Sequence, residues 1–218
     1  MTHPSLPLFP LHTVLFPGGL LGLKVFEARY LDMVGHCLRH PGSSFAVATL
    51  RQGEEVQAPS TRATDIERVA TLVRLDAVDA EQAGILHIRC VGTQRVRLSE
   101  PWQQPNGLWR AHGVALPDDA EVPVALEHQA CALALQKALA TLEADGLEPA
   151  LAPHRLNDSG WVANRWCELL PISLSAKHQL MALEDPRLRL NIVRDVLNTK
   201  GWLGSGSGPG PGPGSNPH

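Results

Sequence analysis

The chain has 218 residues, of which 44% are hydrophobic and 19% are charged, and this composition is typical of a globular protein with a substantial core. Its formal net charge at pH 7 is −3, which argues against a nucleic-acid partner, because phosphate binding ordinarily needs a surplus of lysine and arginine. The four cysteines contain no Cys-x-x-Cys pair and are expected to be buried thiols rather than disulfide or zinc ligands: Cys37, Cys90, Cys131 and Cys167.

The first 23 residues contain no Asp, Glu, Lys or Arg, a feature shared with signal peptides and membrane spans. Four prolines in this stretch prevent a continuous apolar helix, so we expect neither, and we expect a cytoplasmic protein. Residues 6–11 alternate apolar side chains with prolines and predict an edge strand or an extended arm. The run Phe16-Pro17-Gly18-Gly19 predicts a turn, and residues 20–24 predict a second strand.

A helix is predicted next, and it should end near His40 because Pro41 follows. Its apolar residues recur at helical spacing: Phe26, Tyr30, Met33, Val34, Cys37 and Leu38. Four further strands are predicted over residues 44–50, 66–76, 84–98 with an interruption at Gly92, and 108–116. Strands that follow one another without intervening helices favour a mostly antiparallel barrel or folded sheet.

After Pro123 the pattern becomes helical. A long helix closed by Gly146 and Pro149 is predicted from residues at helical spacing: Leu126, Ala130, Leu133, Ala134, Lys137, Ala138 and Thr141. Shorter helices are predicted over residues 161–170 and 176–183, the latter capped by Ser175, and the last helix has Asp185 as its cap. We therefore expect a β lobe over 1–122, a helical lobe over 123–203, and a disordered Gly/Pro/Ser tail over 204–218.

Two arrangements could carry chemistry, and each has a simpler interpretation. Ser173 or Ser175 with Lys177 would suit a small hydrolase, but a serine before a helix more often caps it. His36 and His40 have the i, i+4 spacing of zinc ligands, but no third ligand is indicated, so solvent-facing histidines are favoured. We expect no catalytic residue, no metal and no cofactor.

Three segments stand out in the first half of the chain: the N-terminal run Leu6-Pro-Leu-Phe-Pro-Leu-His-Thr-Val-Leu-Phe-Pro-Gly18, the segment Phe26-Glu-Ala-Arg-Tyr30 and the strand Gly92-Thr-Gln-Arg95. Together they resemble the N-terminal domain family of Lon proteases. Leu170-Pro171 and the segment from Lys177 to Glu184 resemble that family's closing helices. The resemblance implies an α+β fold, in which an N-terminal PUA-like β pseudo-barrel lobe with one helix precedes a C-terminal α-helical bundle. It also implies a role in contacting polypeptides.

No counterpart of the Lon ATPase and protease domains is found in the chain, so the resemblance implies a non-catalytic module that binds unfolded polypeptide segments or partner proteins. An adaptor in protein quality control is the expected setting. The expected binding residues are Phe16, Phe26, Tyr30 and Trp161, while Glu27 and Arg29 are expected to make structural contacts. An RNA-binding module, since PUA-like barrels often contact RNA, and a small hydrolase stay as alternatives.

Overall fold

The computed structural model describes residues 1–52 and 65–203, and the tail predicted over 204–218 lies outside them. The chain forms two compact units. The first unit combines Met1–Asp118 with Leu170–Glu184, and the second combines Asp119–Leu169 with the chain from Asp185 onward. Within the described residues, no helix has the length and apolar character needed to cross a bilayer.

The first unit contains seven strands and two of the five α-helices found in the described residues. Its strands are β1 Thr2–Leu11, β2 Leu20–Val25, β3 Ala46–Gln52, β4 Asp65–Ile66, β5 Val69–Gln82, β6 Ile85–Gln103 and β7 Trp109–Ala115. The helices of the whole chain are α1 Ala28–Arg39, α2 Gln129–Ala144, α3 Ser159–Leu169, α4 Leu174–Ala182 and α5 Pro186–Thr199. Of these, α1 and α4 belong to the first unit.

The strand pairings of the first unit form a closed circuit. The order runs β1, β7, β6, β5, β3, and β3 pairs back with β1. Only the β1–β3 pairing is parallel among the described ladders, so the predicted mostly antiparallel sheet is confirmed. Two strands lie off the circuit, β4 against β3 and β2 against β6. The strand β6 runs through Gly92 without the predicted interruption.

From Leu8 to Leu11 both faces of β1 are buried, because this half of the strand contributes side chains to two apolar clusters. Phe9 packs with Tyr30 and Phe45, which places α1 over one side of the sheet. Leu8, one position earlier along the strand, points to the opposite side and joins Leu50 in the second cluster. The expected edge strand is therefore a central one.

Helix α4 belongs with the strands of the first unit because a buried arginine holds its C-terminal end. The Arg95 side chain, 2% exposed, donates hydrogen bonds to the carbonyl oxygens of Met181, Leu183 and Pro117. Carbonyl groups in the last turn of a helix have no intrahelical partner, so a buried guanidinium satisfies them and opposes the negative end of the helix dipole. The boundary expected after residue 122 had placed this helix with the C-terminal lobe.

The second unit packs α2, α3 and α5 around buried polar anchors. Arg189, 1% exposed, forms an ion pair with Asp119 and donates to the side-chain oxygen of Asn164 at 3.0 Å. The indole nitrogen of Trp166 donates to the carbonyl oxygen of Cys131 at 2.9 Å, which fixes α3 against α2. These bonds satisfy groups that would otherwise be costly to bury.

The predicted long helix is present as α2, but the residues whose spacing predicted it do not form its buried face. That face is formed by Cys131, Leu135, Ala138 and Leu139. Of the residues at the predicted spacing only Ala138 is buried, and Leu133 is 59% exposed. Because α2 is rich in Ala and Leu on several sides, spacing alone did not identify the face that packs.

Candidate functional site

The four aromatic residues expected to bind polypeptides occupy different environments. Phe16 is fully buried and Tyr30 is 3% exposed, with its ring stacked on Phe9 at 4.0 Å between centroids. Phe26 is 51% exposed and lies between β2 and α1. Trp161, in the second unit, is half-buried beside the guanidinium of Arg165 at 5.8 Å. An incoming chain would reach Phe26 and Trp161 directly, but would reach Phe16 and Tyr30 only through the core.

The Phe26-Glu-Ala-Arg-Tyr30 segment makes structural contacts, as expected. Arg29, 6% exposed, donates to the carbonyl oxygen of Gly107 at 3.0 Å, which ties the start of α1 to the turn between β6 and β7. Its guanidinium also forms an ion pair with Glu27 at 2.8 Å and lies over the ring of Tyr30. These contacts fix the helix that covers the core.

The serines considered for hydrolysis lie at the start of α4. The hydroxyl oxygen of Ser173 accepts a hydrogen bond from the backbone nitrogen of Ala176 at 3.2 Å, so Ser173 is the helix cap. The cap predicted at Ser175 was therefore two residues too late. The neighbouring His178 donates through Nε2 to the carbonyl oxygen of Val69, and its Nδ1 faces Glu67 at 3.5 Å. Both ring nitrogens are thus used in contacts other than activation of a serine.

The two histidines considered for zinc stack on each other along α1. The rings of His36 and His40 lie 4.2 Å apart with an interplanar angle of 23°. Stacked imidazoles direct their in-plane lone pairs side by side rather than toward one point, which does not suit a shared ion. No group of three or more candidate metal ligands occurs among residues 1–52 and 65–203.

A groove of about 750 Å³ lies in the first unit, between α4 and residues of β3 and the end of β4. Its apolar lining includes Leu50, Leu174, Ala182 and Leu183. Ser175 and Gln179 line it as well, and both are exposed. An apolar wall combined with a few polar groups suits a polypeptide, whose side chains can be apolar while its backbone needs hydrogen-bond partners.

One wall of the groove is a charged network. Arg51 holds both carboxylate oxygens of Glu67, with Nε 2.8 Å from Oε1 and a terminal nitrogen 2.9 Å from Oε2. Burial by itself would raise the pKa of Glu67, but the hydrogen bond from Arg51 and the charges of His178 and Arg51 outweigh it and lower the pKa. The paired fork and the buried imidazole give the groove a fixed polar edge.

A second hollow of about 440 Å³ lies in the first unit, between β1 and α1. Its lining includes Arg110, which donates to the carbonyl oxygen of Ser5 at 2.7 Å, and the helix residues Asp32 and His36. It is smaller than the groove at α4 and its lining has more polar groups. The groove at α4 is therefore the better candidate for apolar side chains.

Ser173 and Ser175, considered from the sequence for a different chemistry, lie near this groove. Arg51, Glu67 and His178 carried no signal in the sequence. Arg51 pairs with Glu67 sixteen positions away, across strands whose register the sequence does not give. The contact between Glu67 and His178 joins positions more than a hundred residues apart, and only the docking of α4 on the strands brings them together.

Comparison with known families gives one match of nearly full length. The sequence model of the family described as the ATP-dependent protease La (Lon) substrate-binding domain matches residues 5–199. A comparison with curated proteins gave no significant match.

Two solved structures of similar fold illustrate the match. A Lon N-terminal domain protein from Xanthomonas campestris is 34% identical, with a TM-score of 0.69, and the alignment covers 88% of this chain and 98% of that one. The N-terminal domain of the Mycobacterium avium complex Lon protease is 16% identical, with a TM-score of 0.60, and the alignment covers 92% and 98%. The second similarity supports the fold alone.

Proposed function

Because this chain belongs to the Lon protease substrate-binding domain family, we propose that it binds polypeptide segments without transforming them and uses the groove at α4 as a contact surface. The observation that carries this proposal is the family match, which spans residues 5–199 and so includes every strand and helix around the groove. The matched domain is described by what it binds, and the groove offers both apolar contacts and fixed polar groups.

The family match also supports a role for the protein as an adaptor in protein quality control. An adaptor in protein quality control needs to hold clients and hand them on, and a substrate-recognition domain fits that role. None of the four cysteines forms a disulfide, which suits a reducing compartment such as the cytoplasm.

Two finer features of the fold are also proposals. The closed strand circuit of the first unit supports a PUA-like pseudo-barrel, and the packing of α2, α3 and α5 supports a helical bundle. The expected lobes, 1–122 and 123–203, follow the change from strands to helices along the chain.

The aromatic residues then divide into two groups. We assign Phe26 and Trp161 to direct contact with a client, because both side chains are accessible. Phe16 and Tyr30 are buried and do not contact a client. They affect binding only indirectly, by fixing the positions of α1 and of the turn before β2.

The proposal is tested with fluorescein-labelled, reduced and carboxymethylated α-lactalbumin, a chain that cannot refold. Its binding is followed by fluorescence anisotropy. The variant Gln179→Trp places a large ring in the groove, and Gln136→Trp, on the exposed face of α2, is the matched control. We expect about tenfold weaker binding for Gln179→Trp, since several apolar contacts are lost, and unchanged binding for the control.

Two outcomes contradict the proposal at different points. Failure of the unaltered protein to bind the unfolded chain would contradict the proposed function itself. Equal affinity of the two tryptophan variants for the unfolded chain would contradict the groove as the contact surface, but not the binding of polypeptide.

A further inference from the structure

The strand β2 has an edge that no other strand covers in the described part of the chain. It pairs with β6 in an unbroken register from Leu20 opposite Val91 to Val25 opposite Leu86, and with nothing else there. A strand with one unpaired edge presents a row of backbone donors and acceptors, and such a row pairs readily with another extended chain.

The phase of the β2–β6 ladder identifies which backbone groups face that edge. The backbone nitrogen of Gly92 donates to the carbonyl oxygen of Gly19 at 2.9 Å. In an antiparallel ladder this bond makes the next pair, Leu20 with Val91, a non-hydrogen-bonded pair. Alternate residues of β2 therefore direct their N–H and C=O groups away from β6: Leu20, Gly22 and Lys24.

The side chains of β2 separate an apolar side from a polar side. Leu21 and Leu23 are partly buried against the core cluster, and Val25 is fully buried. On the other side Gly22 and Lys24 are exposed and Leu20 is partly buried, and a Cβ built on Gly22 meets no atom within 4 Å. A strand laid along β2 would thus find apolar neighbours on one side and open space on the other.

The strand β5 also has a stretch with one edge unpaired, but that edge has features that protect it from pairing with a foreign strand. Beyond its pairing with β3, β5 continues from Arg74 to Gln82 with bulges in its register, and it places Asp76 and Asp79 along that stretch. Bulges and charged residues discourage pairing with a foreign strand. The strand β2 has neither a bulge nor more than one charge.

The one charge on β2 indicates the chemistry of the occupant. The Lys24 side chain is exposed and makes no ion pair within 4.0 Å among the described residues. We propose that β2 adds an extended client segment as a further strand, whose apolar residues alternate with polar ones and whose polar side carries an acidic residue opposite Lys24. This rests on the proposed function and assigns it a second surface, separate from the groove at α4.

Two variants of one residue test this assignment. Gly22→Pro removes a backbone N–H that faces the edge without removing a bond to β6, whereas Gly22→Ala keeps that N–H. For reduced and carboxymethylated α-lactalbumin we expect about tenfold weaker binding by Gly22→Pro than by Gly22→Ala, because a donor is lost and the ring obstructs the incoming strand. Equal affinities overturn the assignment, while the groove and the proposed function stand.

A measurement on the unaltered protein covers the case in which Gly22→Pro does not fold. Amide hydrogen exchange followed by NMR should show new protection at Gly22 and Lys24 when the unfolded chain is added, while Leu21 and Leu23, already bonded to β6, change little. No added protection at Gly22 and Lys24 contradicts the assignment. A dimer that forms through β2 in the absence of client, seen by sedimentation and abolished by Gly22→Pro, would assign the edge to a second copy instead.

Discussion

Gly92 of β6 lies directly against the carbonyl oxygen of Phe16. A Cβ built on Gly92 would lie 2.3 Å from that oxygen, closer than real Cβ contacts allow. The backbone oxygen of Gly92 also accepts from Gly18 at 2.7 Å, so the turn before β2 is held on β6 from both sides. The glycine of the Gly-x-x-Arg segment is thus required by the Phe-Pro-Gly turn, which lies more than seventy residues earlier.

Substitution of this glycine should destabilise the protein. We expect Gly92→Ala to lower the free energy of unfolding by about 2 to 4 kcal/mol, because the added methyl group meets a backbone oxygen that cannot move without its turn. Urea denaturation measures the difference. Gly22→Ala, whose added Cβ meets nothing, is the control and should stay within about 0.5 kcal/mol. Equal stability of the two variants would contradict the close packing of the turn on β6.

Loss of the Arg95 side chain should release the end of α4. Arg95→Met leaves three carbonyl groups without their buried donor, and we expect a loss of about 2 to 4 kcal/mol in the free energy of unfolding. The matched control is Arg97→Met, because Arg97 is 58% exposed and pairs loosely with Glu184. Thermal unfolding by circular dichroism compares the two, and a control as damaging as Arg95→Met would be inconsistent with the capping role.

The paired carboxylate of Glu67 predicts a dependence of stability on pH. Because its pKa is lower in the folded protein than in the unfolded chain, its contribution is complete above the ordinary carboxyl pKa and is lost as the pH falls through the folded value. Glu67→Gln removes this titration. The difference in unfolding free energy between the unaltered protein and Glu67→Gln should therefore shrink between pH 7 and pH 3, as measured by urea titrations. A constant difference would argue against the Arg51 and His178 contacts.

The cysteines should differ in reactivity in the folded protein. Burial raises the pKa of the Cys90 thiol to about 12 and that of Cys131 to about 11, and both side chains are fully inaccessible. Cys37 is only half-buried, although burial raises its pKa as well. Iodoacetamide at pH 8 should label Cys37 first, and mass spectrometry of peptides identifies the site. First labelling at Cys90 would contradict the packing of the core.

Much of the fold follows from local signals in the chain. The cap at Asp185 followed by Pro186 predicted the start of α5, and the turn at Phe16 predicted the start of β2. These signals work because the physical requirement, an orphan amide or a tight turn, lies within a few residues of the side chain that meets it.

Features decided by distant contacts could not be predicted in this way. Gly92 has the appearance of a strand break, yet it is the site where a turn from elsewhere approaches β6. Both Ser173 and Ser175 suit a helix cap by residue type, and only the packing of α4 selects Ser173. The groove depends on the same docking, which is why Arg51 and His178 carried no signal in the sequence.

The central claim, binding of polypeptide without its conversion, is tested most directly by one paired titration. Isothermal titration calorimetry compares reduced and carboxymethylated α-lactalbumin with the native, disulfide-bonded protein, and gel electrophoresis then examines the recovered chains. We expect saturable binding of the unfolded form, much weaker binding of the native form, and intact chains afterwards. Equal binding of both forms, no binding of the unfolded form, or accumulation of cleaved α-lactalbumin would contradict it.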